Sequence, residues 1–242
     1  EVVEESVEES ADDSEQIDTA QEDELSIQKL CSGINGLTQD ELAAWNTLGM
    51  TDGSITALQE QQRGNYYYEA LNESQKLLYA EILMIASQRA EGVVITSVDG
   101  NDVDLAFQCV LADHPELFYI RGYTYTKHLL DEVIQRISFT GTYTMTAEEI
   151  AAAQTGIDSY VKSCLAGRPS GDDYEKIRYF YEYIINHTDY VLNAPENQNI
   201  CSVFLYGQSV CQGYAKAFEY LCIQSGIEAT LVTGTIRESG FG

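Results

Sequence analysis

The chain has 242 residues, with 39 acidic and 13 basic side chains and a formal charge of −26. That balance excludes the basic stripe of a nucleic-acid binder and the Lys/Arg cluster that anionic lipid attracts. A 44 % hydrophobic content supplies a core for one or two domains, and no apolar run approaches the roughly 18 residues of a membrane span. The chain opens on Glu1 with no basic and apolar leader, so no signal peptide is expected within it.

Residues Glu1 to Glu24 hold 12 acids and no base, which leaves a net charge of −14 on the other 218 residues. High like charge without aromatics cannot offset chain entropy by burial, so residues 1–26 are expected to form a disordered acidic tether. An acidic tail that grips a basic partner is the other reading of the same run. Acidic spacers often follow a removed export signal, which suggests an extracellular or surface-attached protein.

Thr38-Gln39-Asp40-Glu41 is a capping-box sequence opening a short helix through Trp45 and Leu48, with Gly49 as its stop. A Gly-, Gln- and Asn-rich stretch through Gly64 is expected as loop. Asn72 to Gln75 caps a longer helix with Leu78, Ile82, Ile85 and Ala86 at helical spacing, ending by Gly92. Val93-Val94-Ile95 is expected as a strand, and Asp102 to Ala112 as a helix halted before Pro115. Leu117 to Ile120 and Val133 to Phe139 are expected as antiparallel strands, with turns near Gly122 and Gly141. Thr146-Ala147-Glu148-Glu149 opens a helix to Leu165 that stops at Gly167, and a linker, Arg168 to Gly171, leads to a helix over 171–187.

Six cysteines, at 31, 109, 164, 201, 211 and 222, form no CxxC pair, and no His lies at metal-ligand spacing from any of them. No metal site and no cofactor are therefore expected. A free Cys is by default a small buried hydrophobe. Cys211 differs. It opens a segment in which Tyr214, Ala215, Phe218, Leu221 and Cys222 follow at one helical face, and Gly226 ends it before a strand expected over 229–233. A thiol in the first turn of a helix meets unpaired amides and the positive end of the dipole, which favours thiolate. Gly213, Ala215 and Ala217 remove bulk and permit close packing. Cys222 lies three turns below and is expected to be core.

The run Lys176 to Ile185, then Thr188-Asp189-Tyr190, Gln198 to Ser202, Ser209 to Phe218, and Gly226-Ile227 through Val232-Thr233-Gly234 resembles, in that order, the first half of a bacterial transglutaminase-like core. The V-C-x-G-Y-A-x-A-F element at 210–218 is the most specific part. Asp113 to Tyr119 and the Gln75-Lys76-x-x-Tyr79 helix look like the region preceding that core in bacterial relatives. The likeness covers residues 65–242 and is sharp over 174–236.

The resemblance implies an α+β fold in which a helix-plus-antiparallel-sheet domain, residues 65–167, precedes a papain-like core that begins at 168–242, with the Cys helix on antiparallel strands. Residues 27–64 would be a short helical linker segment. It further implies that Cys211 attacks an amide carbonyl of a peptide or protein substrate to give a thioester that water or an amine resolves. A His and then an Asp would follow the nucleophile, yet the chain ends 31 residues after Cys211. By itself the 242-residue chain is therefore expected to be inactive. The alternative is a non-catalytic surface interaction module on a degenerate scaffold of the same kind.

His114, His128 and His187 all precede Cys211, against the family's order, and are expected to be structural. His187 is placed to cap a helix C-terminus, and His128 falls in a connecting segment. Asp113, His114 and Glu116 bracket a proline and make a poor cation cage. Gln198, 13 residues before Cys211, is a candidate oxyanion donor. Its alternative role, with Asn199, is to hold a loop through side-chain bonds. The 17 tyrosines suggest either sugar stacking or amphipathic core edges. The sequons at Asn72 and Asn186 both fall within expected helices.

Overall fold

The computed structural model describes residues 37–232, and the backbone of residues 4–9. The chain is α+β and divides into two compact units, 1–160 and 161–242.

The first unit begins with β1 (Glu4–Glu9) and three helices, α1 (Gln39–Leu48), α2 (Asp52–Gln61) and α3 (Tyr66–Ala70). It continues through α4 (Glu73–Ser87), β2 (Val93–Ile95), α5 (Gly100–Asp113), β3 (Ile120–Leu130) and β4 (Val133–Tyr143) into α6 (Ala147–Ala166). The four strands form one antiparallel sheet in the order β1-β3-β4-β2.

β1 lies within the stretch expected as a tether. Glu4–Glu9 pairs with β3 along six residues, Glu5 opposite Lys127 and Glu4 opposite His128. Backbone pairing on an edge strand needs no apolar side chain, so acidic composition alone did not exclude it. The remainder of the 1–26 reading lies outside the described residues, as do Cys31 and residues 27–36.

Side-chain caps set the helix starts. Thr38 accepts from the Glu41 amide at 3.3 Å while the Glu41 carboxylate accepts from the Thr38 amide at 2.6 Å, and Gly49 ends α1 at φ 63°. Asn72 and Gln75 make the same reciprocal pair for α4. Thr146 and Glu149 make it for α6. The stretch expected as loop before Gly64 is instead α2, because Thr51 and Ser54 form a capping box that polar composition hid. Ile55 and Leu58 of α2 are buried.

α4 is buried over nine consecutive residues, Leu78 to Ala86, and is a core helix rather than an amphipathic one. It ends at Ser87, before the expected Gly92 stop, although Gly92 does adopt φ 66°. Phe107 of α5 packs on Tyr123 at 4.3 Å and near Phe139, and the Trp45 indole donates to the Val94 carbonyl at 2.7 Å, tying α1 to β2.

The central hairpin corrects the strand limits. Residues 117–119 are not strand, and Gly122 and Gly141 lie within strands rather than at turns. The chain reverses at Asp131 and Glu132, both with positive φ (49° and 66°), the two-residue geometry that matches strand twist. His128 accordingly sits in β3, bonded to Ser138 of β4 at 2.8 Å, and not in a connection.

The second unit comprises the end of α6, α7 (Asp173–His187), β5 (Asp189–Tyr190), α8 (Cys201–Phe204), β6 (Gln208–Ser209) and α9 (Cys211–Ile223). The Tyr179 hydroxyl donates to the Cys164 carbonyl at 2.9 Å, docking α7 on α6, and α7 buries Phe180 and Ile184. β5 and β6 run parallel, so the antiparallel strands expected beneath the Cys helix are not among the described residues. Residues 229–232, expected as the start of a strand, have no regular structure, and Thr233 lies outside the described residues. Among the described residues no helix is long and apolar enough to cross a membrane.

Candidate active site

Cys211 is the first residue of the 13-residue helix α9 and is exposed, while Cys109, Cys164, Cys201 and Cys222 are buried. The helix starts there because Val210 is extended (φ −116°) and the following residues suit a close-packed helix. Val210, the N-cap residue, makes no side-chain cap hydrogen bond at this end. Burial pushes the thiol of Cys201 up to about 12, with Glu196 adding to the effect, and those of Cys164 and Cys222 to about 11. These groups are core, as expected for Cys222.

Gly213 explains how the first turn is held. A Cβ there would overlap the hydroxyls of Ser209 and Ser202, and would sit 3.1 Å from the Asn197 carbonyl. The two hydroxyls are 2.7 Å apart and buried, and Ser202 also donates to the Asn199 carbonyl at 2.8 Å. The turn bearing Cys211 is thereby pressed onto α8, β6 and the 191–199 loop. Sequence reasoning did not single out Ser202 and Ser209. The signal was Gly213 itself, since a glycine two positions after a helix start implies small, close neighbours.

Gln198 is exposed and donates to Asn197 Oδ1 at 3.0 Å. It belongs to the loop whose Asn197 carbonyl lies on Gly213, so loop and nucleophile helix are brought together. Asn199 does the loop-holding foreseen for the pair: it accepts from the Cys201 amide at 2.9 Å and donates to Glu196 at 2.7 Å. Asn197 donates to the Leu192 carbonyl at 3.0 Å.

On the other side of the turn, β5 pairs with β6 in the register Asp189↔Gln208 and Tyr190↔Ser209. The Tyr214 hydroxyl donates to the Thr188 carbonyl, and its ring stacks on Tyr190 with centroids 6.2 Å apart. Tyr190 belongs to the Thr188-Asp189-Tyr190 run that carries part of the sequence resemblance.

The histidines are otherwise engaged. His187 Nδ1 lies 2.7 Å from the Tyr183 carbonyl and its ring stacks on Tyr183 at 4.2 Å, a C-terminal capping arrangement. His114 bonds Glu116 and Gln62 through its two ring nitrogens. Asp113 accepts from the amides of Tyr67 and Tyr68 and from the Tyr79 hydroxyl, serving α3. Among the described residues no group of three His, Cys, Asp or Glu could hold a metal ion. Of the tyrosines, Tyr68 and Tyr79 are core, while Tyr66, Tyr174, Tyr181 and Tyr190 are exposed. Asn72 is spent on its cap, and Asn186 donates to the Glu182 carbonyl.

No curated protein matches the chain. Residues 158–241, about a third of its length, match the family described as the transglutaminase-like superfamily. The segment that presents Cys211 on α9 is therefore similar to that superfamily, as its order of motifs implied.

Proposed function

We propose that residues 161–242 supply the nucleophile half of a thiol acyl-transfer site acting on peptide or protein amides. The observation that carries this reading is an exposed Cys211 at the uncapped start of α9, within a segment similar to the transglutaminase-like superfamily. The Cys211 sulfur attacks the amide carbonyl carbon, the C–N bond breaks, and the amine leaves with a proton. The resulting thioester is resolved by water, giving a carboxylic acid, or by a second amine, giving a new amide. Either route regenerates the thiol.

The Cys211 amide is one donor to the developing oxyanion, and Gln198 is the second. A general base is also required, to carry the thiol proton to the leaving amine.

The test uses the full chain and a p-nitrophenyl ester of a short N-acyl peptide. The expected result is one hydroxylamine-labile acyl group per chain, mapped to Cys211 by peptide mass and missing from Cys211→Ser. No acyl group on Cys211 would overturn the nucleophile assignment.

A further inference from the structure

The loop 114–119, between α5 and β3, lines a cleft in the first unit that the chemistry above does not use. We infer that this cleft binds a small primary amine with an apolar body and a neighbouring carbonyl, the chemistry of an apolar amino-acid amide or a peptide N-terminus. The site does not depend on the role of Cys211.

The cleft has a volume of about 240 Å³ and lies among α2, α4, α6 and that loop. Drug-sized ligands fill clefts of roughly 300 to 1,000 Å³, so this one suits a smaller guest, on the scale of a single residue. Leu58, Leu83 and Leu117 line it and are otherwise buried. Water against that floor has no protein partner, whereas an apolar body gains by covering it.

The polar groups of the lining are held by His114. Its Nδ1 lies 2.7 Å from Glu116 Oε1 and its Nε2 lies 2.9 Å from Gln62 Oε1, so one ring fixes both side chains. Gln62 is only 6 % exposed, and its Oε1 also accepts from the Asn65 side-chain amide at 3.0 Å. The Gln62 Nε2 is thereby left as a donor with no acceptor among the described residues. A nearly buried donor on the wall of a cleft is completed by an acceptor on the guest, here its carbonyl. Glu116 spends one carboxylate oxygen on His114 and keeps the other open. Gln154 spends its amide nitrogen on Asp158 at 2.7 Å and keeps its carbonyl oxygen open.

Charge selects the amine. No Lys or Arg is among the lining residues. Asp113 stands beside His114 and interacts with it electrostatically, so Asp113 and Glu116 together outweigh the ring in either of its protonation states. A carboxylate guest meets like charge there, whereas an ammonium brings only donors to the open oxygens of Glu116 and Gln154. Among the described residues no cluster can cage a metal ion, but an ammonium needs acceptors rather than a coordination shell.

The experiment titrates the full chain with leucinamide, glycinamide, N-acetylleucinamide and 3-methylbutylamine while NMR follows the side-chain amide signals of Gln62 and Gln154. Leucinamide is expected to move both signals. It should bind about tenfold more tightly than glycinamide, which lacks the apolar body, and than N-acetylleucinamide, which lacks the charge. 3-Methylbutylamine lacks the carbonyl and should bind several-fold more weakly and leave the Gln62 signal nearly still. Glu116→Gln keeps the shape of the wall and should weaken leucinamide by about tenfold. Gln154→Ala, on a half-buried position of α6, should weaken it less, and the backbone amide spectrum of each variant reports its folding. Gln62 and Gln154 signals that stay still at millimolar leucinamide would overturn the site. N-acetylleucinamide binding as tightly as leucinamide, or leucinamide binding unchanged in both variants, would overturn the choice of an amine. None of these outcomes bears on Cys211.

Discussion

The hydroxyls of Ser202 and Ser209 lie 2.7 Å apart in the space that a Cβ on Gly213 would occupy. Ser202 belongs to α8 and Ser209 to β6, so one glycine hydrogen lets two elements close on the turn that carries Cys211. Gly213→Ala is expected to lower the stability of the second unit by about 2 kcal/mol, the usual scale of overpacking. Urea unfolding followed by circular dichroism measures it. Adding Ser202→Ala and Ser209→Ala should recover most of the loss. A Gly213→Ala protein as stable as the parent would show that the turn is not closely packed.

Alkylation should separate the cysteines by burial. At pH 8, iodoacetamide is expected to modify Cys211 in the folded chain and to spare Cys109, Cys164, Cys201 and Cys222. Burial pushes these four thiols up to about 11 or 12, so only about one in a thousand or fewer is ionised at that pH. In 6 M urea all four should react. Peptide mass mapping with and without urea checks this, and labelling of Cys201 in the folded chain would contradict the packing of α8.

Glu81 makes the first unit sensitive to pH. Its side chain is wholly buried in α4, one oxygen accepts from the Thr96 amide at 3.1 Å and hydroxyl at 2.8 Å, and the other has no partner. Burial pushes its carboxyl up to about 7, against the lowering effect of Thr96. The folded state therefore holds a proton that the unfolded chain has lost once the pH passes its ordinary value of 4.5. Stability is undiminished below 4.5, falls as the pH rises toward 7, and levels off above it. The total loss is about 3 kcal/mol. Glu81→Gln cannot ionise and should flatten this slope in melts taken between pH 4.5 and 8. An unchanged slope would assign the dependence elsewhere.

Asp113 caps α3 from a distant helix. Asn65, at the start of α3, makes no side-chain cap, and Asp113 accepts instead from Tyr67 at 3.2 Å and Tyr68 at 2.9 Å. Asp113→Ala leaves two amides and the Tyr79 hydroxyl without that acceptor and should destabilise the first unit by about 2 to 3 kcal/mol. Asp113→Asn, which keeps one acceptor, should lose less. Thermal unfolding of the two variants measures the difference, and a negligible loss in Asp113→Ala would mean that the contacts to both amides are dispensable.

What could be read along the chain was what neighbours in sequence decide. The capping boxes at Thr38, Asn72 and Thr146 and the helix that begins at Cys211 follow from side chains three or four positions apart, and the buried strand at 93–95 from three consecutive β-branched residues. The order of motifs around Cys211 carried the likeness to the transglutaminase-like superfamily in the same way. The α2 capping box was equally local, but Thr51 and Ser54 were masked by a composition that looked like loop.

What only the tertiary structure decided was which distant groups share a space. Backbone pairing put Glu4–Glu9 on the sheet edge, because hydrogen bonds along an edge strand do not depend on side-chain polarity. The hairpin reversed at Asp131 and Glu132 rather than at a glycine, because strand twist rewards two left-handed residues and acids can adopt that conformation. Ser202, Ser209 and the Asn197 carbonyl met at Gly213, and Tyr190 met Tyr214, through register and packing that no local spacing encodes.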